Sequence, residues 1–195
     1  MDYYVFRPFV SRGGGVIAGH PKASPEGWRW HEGEPLAAEY PADASVKFTA
    51  NFPDARELRD FQPNILGGII ASPKAREVIA AVEVRGIETL PVAIRDHSGT
   101  VVAPDYAFLN PLGSQDAIDL RRSVLTMNAL DKSQVLSVEK LVLAPERIDP
   151  DAKLFRCTTW MRLFLVRDDV KVAFEQAGLT GCRFFPAEGW DGLDI

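Results

Sequence analysis

The patterning of this chain predicts an α+β fold with a largely antiparallel sheet and two amphipathic helices. Three observations lead there. Apolar residues recur at helical spacing in two stretches, Ala75, Val78, Ile79, Val82 and Val170, Ala173, Phe174, Ala177. Short apolar or alternating runs bounded by Gly, Pro and Asn fill the intervals, several strands to an interval. The helix–strand unit also occurs twice, because Ala75 and Val170, Gly86 and Gly181, and Pro91 and Pro186 all stand 95 positions apart. A duplicated supersecondary unit would leave that spacing. Amphipathic helices followed by Gly and a strand are also common enough to coincide.

Organisation changes near residue 65. Residues 1–64 read as a loop-rich segment packed on an α+β body of residues 65–195, the two making one folded unit. Gly13-Gly14-Gly15, Pro21, Pro25, Gly27, Gly33, Pro35, Pro41 and Pro53 interrupt regular structure repeatedly. Within this segment, Tyr3 to Phe6 and Val46 to Thr49 read as short strands, and the rest as an extended flap over the body.

The body reads more firmly. Asn64 to Ala71 is a strand or turn leading into a helix that Ser72 caps and Pro73 begins, where a missing N–H costs nothing. Gly86 is expected to supply the left-handed cap. Glu88 to Arg95 and Val101 to Ala103, around the Gly-bearing turn His97 to Thr100, predict a hairpin. Tyr106 to Leu109 reads as a further strand. Asp116 to Asn128 is ambiguous between a helix and an extended arm. Val135 to Leu143, Leu154 to Thr158 and Arg162 to Val166 read as strands. Asp168 is expected to cap the second helix, Gly178 and Gly181 to close it, and Cys182 to Phe185 to form the last strand.

Composition excludes several function classes. With 46% apolar and 25% charged residues this is an ordinary globular composition. No run of 18 apolar residues suggests a membrane span, and the N-terminus lacks a basic region followed by an apolar core. Two cysteines, Cys157 and Cys182, are too few for a disulfide framework. The expected compartment is therefore the cytoplasm. A net charge of −5 with dispersed Lys and Arg argues against nucleic acid as a partner, and suits a basic protein partner instead.

Catalytic constellations are sparse. His20, His31 and His97 lack the spacing and Cys partners of a zinc site, and the first two read as solvated loop residues that could converge in the fold. There is no Gly-x-Ser-x-Gly elbow. The glycine run at 13–15 lacks the Gly-Lys-Ser/Thr ending of a phosphate loop and reads as a flexible loop. Asp168-Asp169 fits a helix start, Asp149-Pro150-Asp151 a turn, and Glu57 and Asp60 with Arg56 and Arg59 the solvated face of a short helix. No catalytic, cofactor-binding or metal-binding residue is expected.

Recognition residues are easier to nominate. Trp28 and Trp30, if extended, point to one face beside Glu32 and Glu34, although they could equally fold back onto the core. Trp160 reads as core. Trp190 and Asp191 sit in an acidic tail, Glu188 to Ile195, that docks on the body or on a partner. Trp28, Trp30, Glu32, Glu34, Trp190 and Asp191 are thus the candidate partner-binding residues.

The stretch Trp160 to Val166, the capped helix ending in Gly178 and Gly181, and the strand Cys182-Arg183-Phe184-Phe185-Pro186 together resemble the C-terminal signature of a bacterial immunity-protein family of polymorphic toxin systems. In its Gly-x-x-Phe-x-Pro-like pattern, Gly181, Phe184 and Pro186 match. The Tyr3-Tyr4-Val5 start and the Ser72-Pro73 helix suit the same layout. The resemblance implies a non-enzymatic protein without cofactors that binds a cognate toxin and blocks it by covering its active site. Two other classes remain open: an adaptor or homo-oligomeric structural protein, and a small hydrolase-like enzyme with its site in the flap around His20 and His31. The oligomeric state is left open.

Overall fold

Two four-stranded sheets, each backed by one helix, pack their helix-bearing faces against a common core. The computed structural model describes residues 2–9 and 12–193; Met1, Val10, Ser11, Asp194 and Ile195 lie outside, the last two being the end of the expected acidic tail. The strands are β1 (Tyr3–Pro8), β2 (Ser45–Lys47), β3 (Ile69–Ala71), β4 (Ile87–Arg95), β5 (Val101–Pro111), β6 (Val124–Met127), β7 (Val135–Lys140), β8 (Leu154–Cys157), β9 (Trp160–Arg167) and β10 (Cys182–Pro186). The helices are α1 (Pro73–Ala81) and α2 (Asp168–Gln176). The first sheet has the order β10-β1-β9-β8, the second β2-β4-β5-β3, and β6 and β7 form a separate ribbon. Pairing is antiparallel except for β2 on β4. The class is α+β with a largely antiparallel sheet.

The spacing of 95 positions reappears as topology. β3–α1–β4 and β9–α2–β10 are the same unit, a strand, a helix and a second strand separated from the first by one antiparallel strand. In one sheet β5 fills the middle place, and in the other β1 does. Registers agree residue by residue: Phe108 lies opposite Ile70 and Leu90, and Val5 opposite Leu165 and Phe185. Burial agrees as well. Ala75 and Ile79 of α1, with Val170 and Phe174 of α2, enter one core with Phe6, Ile69, Leu109 and Phe164. Each helix buries its apolar stripe against its own sheet and against the other helix.

Alternation along the strands then places a second core on the far face of each sheet. Val5, Leu163 and Leu165 point away from the helices into a cluster with Ala117, Ile118, Val138 and Leu141. Ile70, Leu90 and Phe108 do the same in a cluster with Ile17, Trp30, Leu36, Val46 and Phe48. The irregular segments therefore act as covers. Part of the 12–66 region lies on the second sheet, and the 115–150 region lies on the first.

Several local expectations are corrected. Glu83 (φ 54), not Gly86, takes the left-handed position after α1, while Gly86 (φ 70) makes the turn into β4. Arg167 rather than Asp168 is the N-cap of α2, and it gives no side-chain cap bond. The acid that matters there is Asp169, held by the Arg167 guanidinium at 2.8 and 2.7 Å. Val101 to Pro111 is one continuous strand. The ambiguous 116–128 stretch is extended, through an Ile118–Leu143 bridge and β6. Residues 56–60 are not helical. Asp60 accepts bonds from Ser72 Oγ, Thr180 N and Thr180 Oγ1, tying the start of α1 to the loop after α2. The glycine run is packed: Gly15 N donates to Glu57 O, and a Cβ on Gly15 would meet the Phe48 ring at 2.4 Å.

Candidate functional site

The two covering segments leave a groove of about 510 Å³ between them, and the start of β9 forms its floor. Trp28, His31 and Glu32 come from one cover; Asn128, Asp131, Gln134 and Leu136 come from the other; Trp160, Met161 and Arg162 line the floor.

A 3-10 turn at Arg29–His31 shapes the first wall. Because the chain turns there rather than running extended, Trp28 and Trp30 part company. Trp28 is 60% exposed, its indole N–H donating to Glu26 at 2.6 Å. Trp30 is 6% exposed, stacked on His20 at 4.6 Å, packed on Phe108 and donating to Pro25 O. Trp190 is likewise a core residue, 5% exposed, stacked on Trp160 at 6.0 Å. Trp160, expected in the core, is half-buried and forms part of the groove. Of the six nominated residues, Trp28, Glu32, Glu34 and Asp191 are exposed, and of these Trp28 and Glu32 line the groove.

The histidines expected to be solvated are not. His31 is 9% exposed and His20 half-buried, and the two lie close enough to influence one another. Burial, with the cationic Arg162 and Arg156 adding to it, pushes His31 down to about 4. Burial lowers His20 as well. His31 Nδ1 is buried without a hydrogen-bond partner. At neutral pH the His31 ring is uncharged.

Sequence reasoning missed Arg156. It is 2% exposed and hydrogen-bonds through every arm: Nε to Pro111 O, Nη1 to Met161 O, Nη2 to Trp30 O and Asn110 Oδ1. Its guanidinium also lies over the Phe164 ring at 4.7 Å. Desolvation lowers it to about 10, Glu32 acting in the opposite direction. Asn110 continues the network by donating to Glu34 O and to Glu88, whose carboxylate accepts from Leu36 N and Ala37 N. One guanidinium thus pins the first wall, through Trp30, to the floor, through Met161. An arginine at the second-last position of a short apolar strand was the available signal, but nothing in the sequence marks it as central.

The groove offers hydrogen bonds, charge and aromatic faces, which are the means of recognition. Among the described residues its lining has no serine, threonine or cysteine beside His31, so a nucleophile–base pair is not assembled there. Among the described residues no cluster of three His, Cys, Asp or Glu is placed to hold a metal ion. Among the described residues no helix is long and apolar enough to cross a membrane. The model of the immunity protein family Imm11 matches residues 11–189, nearly the whole chain. The protein belongs to that family. No curated protein matches the chain.

Proposed function

We propose that the protein binds a cognate bacterial toxin in the cytoplasm and neutralises it by steric occlusion, the groove and its rim forming part of the contact. Family membership across residues 11–189 carries this reading. The surface supports it: Trp28 stands exposed beside the carboxylates of Glu26 and Glu32, with Leu130 and Leu136 exposed on the facing segment. An exposed tryptophan flanked by charge is the composition of an interface anchor. The acidic balance of −5 favours encounter with a basic toxin cleft. Nothing in this reading requires turnover of a small molecule.

Against the enzyme alternative stands the state of His31. A base held near 4 by burial and by the charges of Arg162 and Arg156, with no carboxylate bonded to it among the described residues, is poorly matched to proton transfer near neutral pH. The deciding experiment identifies the neighbouring gene and, where it encodes a secreted protein with a toxic C-terminal domain, co-expresses that domain with this chain. Protection of growth is expected, together with a stable complex on gel filtration. A chain that expresses well and gives no protection overturns the reading.

A further inference from the structure

Charge in the groove is layered. The acidic groups, Glu32 and Asp131, belong to its two walls, and Asp131 is already engaged by Ser133, whose hydroxyl and N–H both donate to it. The floor carries Arg162, exposed, its side chain in no ion pair or hydrogen bond among the described residues. Behind the floor lies Arg156, a buried guanidinium whose partners are three backbone carbonyls and one amide oxygen. Carbonyls satisfy its N–H groups without forming an ion pair, and the opposite charge that acts on it is Glu32 of the first wall. His31, nine-tenths buried, is among the lining residues, its Nδ1 lies buried without a hydrogen-bond partner, and both arginines act on its ring. The charged and titratable groups acting on that ring are Arg162, Arg156 and His20, all cationic or neutral.

We propose that the floor of this groove is a carboxylate-binding site, in which one Asp or Glu side chain of the partner protein seats on the Arg162 guanidinium beside His31. A guanidinium receives a carboxylate through two parallel N–H bonds, the strongest polar contact available to a protein surface. The charge of Arg156, which no ion pair in its own hydrogen-bond shell neutralises, adds attraction from behind without needing contact. A cationic side chain would meet the opposite field at the same depth. The acidic walls then make the site selective, since they repel a partner that presents acid anywhere except over the floor. Identification of the ligand as a protein side chain rests on the immunity reading; the chemistry of the site rests on the groove alone.

The test needs no toxin. N-acetylglutamate N-methylamide, the corresponding glutamine compound and the corresponding arginine compound are titrated into the whole protein, with NMR of the arginine Nε–H, histidine ring and tryptophan indole signals. The glutamate compound is expected to give saturable shifts at Arg162 and His31 and to move the His31 titration midpoint upward by about one pH unit. Arg162→Gln, at an exposed position, is expected to weaken binding about tenfold, and Arg121→Gln, outside the groove, to leave it unchanged. Equal response to the glutamine compound, preference for the arginine compound, or unaltered binding in Arg162→Gln each overturns the proposal. If the toxin co-expression fails while the glutamate compound binds, the immunity reading falls and the carboxylate site stands; the reverse pair of results removes the site alone.

Discussion

Pro91 and Pro186 hold the same register position in the two sheets, Pro91 opposite Ala107 of β5 and Pro186 opposite Tyr4 of β1. Neither proline has a N–H to give a neighbouring strand, and both sit where, among the described residues, their strand has no β-partner on the other side. The flanking pairs agree as well, Glu88 with Asn110 and Arg183 with Arg7. The registers agree on both sides of the middle strand, Ile70 with Phe108 and Leu165 with Val5 on the second side, so the two units are structural repeats. Their middle strands come from opposite sides in sequence, β5 after its helix and β1 from the N-terminal region. No regular spacing could have linked those two strands.

The repeats differ in what surrounds them, which gives a paired stability test. Gly86 and Gly181 are equivalent, with φ of 70° and 82°. A Cβ at Gly86 would meet nothing within 4 Å, whereas at Gly181 it would come within 2.1 Å of Phe61 O. Gly86→Ala is expected to cost about 1 kcal/mol, the price of a left-handed alanine. Gly181→Ala should cost about 3 kcal/mol or more, since backbone must also move. Urea denaturation of both variants checks this, and equal losses would show that the Phe61 contact is unimportant.

The helix starts also differ. Ser72 Oγ accepts from Ala75 N at 3.1 Å and donates to Asp60, whereas α2 has no side-chain cap bond. Ser72→Ala is expected to lower stability by about 1 kcal/mol or somewhat more. Arg167→Ala, which breaks a partly exposed pair with Asp169, is expected to lose less than about 1 kcal/mol. The reverse order in thermal unfolding would contradict the capping argument.

Arg156 should behave as a keystone of the groove. Its removal strands the buried Pro111 and Trp30 carbonyls, and Arg156→Ala is expected to cost about 3 kcal/mol or more. Arg156→Lys keeps the charge but cannot reach four acceptors at once, so it should recover part of the stability only. Full recovery by lysine would mean that the charge matters and the fork geometry does not.

Acid should destabilise the protein through His31. Its folded pKa, about 4, lies below the ordinary 6.5, so the unfolded chain binds more protons between those values. Stability contributed by the neutral ring is present above about pH 6.5 and is lost as pH falls toward 4. Allowing for solvent on the groove side of the ring, the loss is on the order of 2 kcal/mol. His20, also lowered, acts in the same direction. Denaturation at pH 7 and pH 4.5 should show a smaller pH dependence in His31→Phe than in the unaltered protein. An identical slope would place the acid sensitivity elsewhere.

What the sequence disclosed follows from the range of each signal. Helical spacing, the Ser72-Pro73 start and the hairpin turn at His97 to Thr100 are local, and each is present in the fold. The class followed from them, whereas the duplicated unit rested on the spacing of 95 and stood beside coincidence. The irregular covers were opaque because their structure is set by distant partners: Trp30 by Phe108, Asp60 by Thr180, Gly15 by Phe48. The same holds for the groove, whose walls lie about 100 positions apart in sequence and meet only through tertiary packing. Trp28 and Glu32 were legible as candidates by residue type. Arg156 and Arg162 were not, since an arginine in a strand carries no mark of its depth or of its neighbours.

The separation of Trp28 from Trp30 yields the sharpest functional prediction. Both are tryptophans in the same five-residue stretch, yet one contributes its surface to solvent and the other to the core. Trp28→Ala removes only an exposed ring and a bond to Glu26, so stability should stay within about 0.5 kcal/mol. Toxin neutralisation should nonetheless drop, with affinity weaker by about 2 kcal/mol if the ring is an anchor, or roughly thirtyfold. Trp30→Ala empties a site stacked on His20 and packed on Phe108, and should cost about 3–5 kcal/mol of stability. Any loss of protection in that variant would then follow its folded fraction, which calorimetry and a protection assay on the same samples can establish. If Trp28→Ala protects as fully as the unaltered chain, the first wall of the groove is not where the toxin binds, and the contact must be sought on another face.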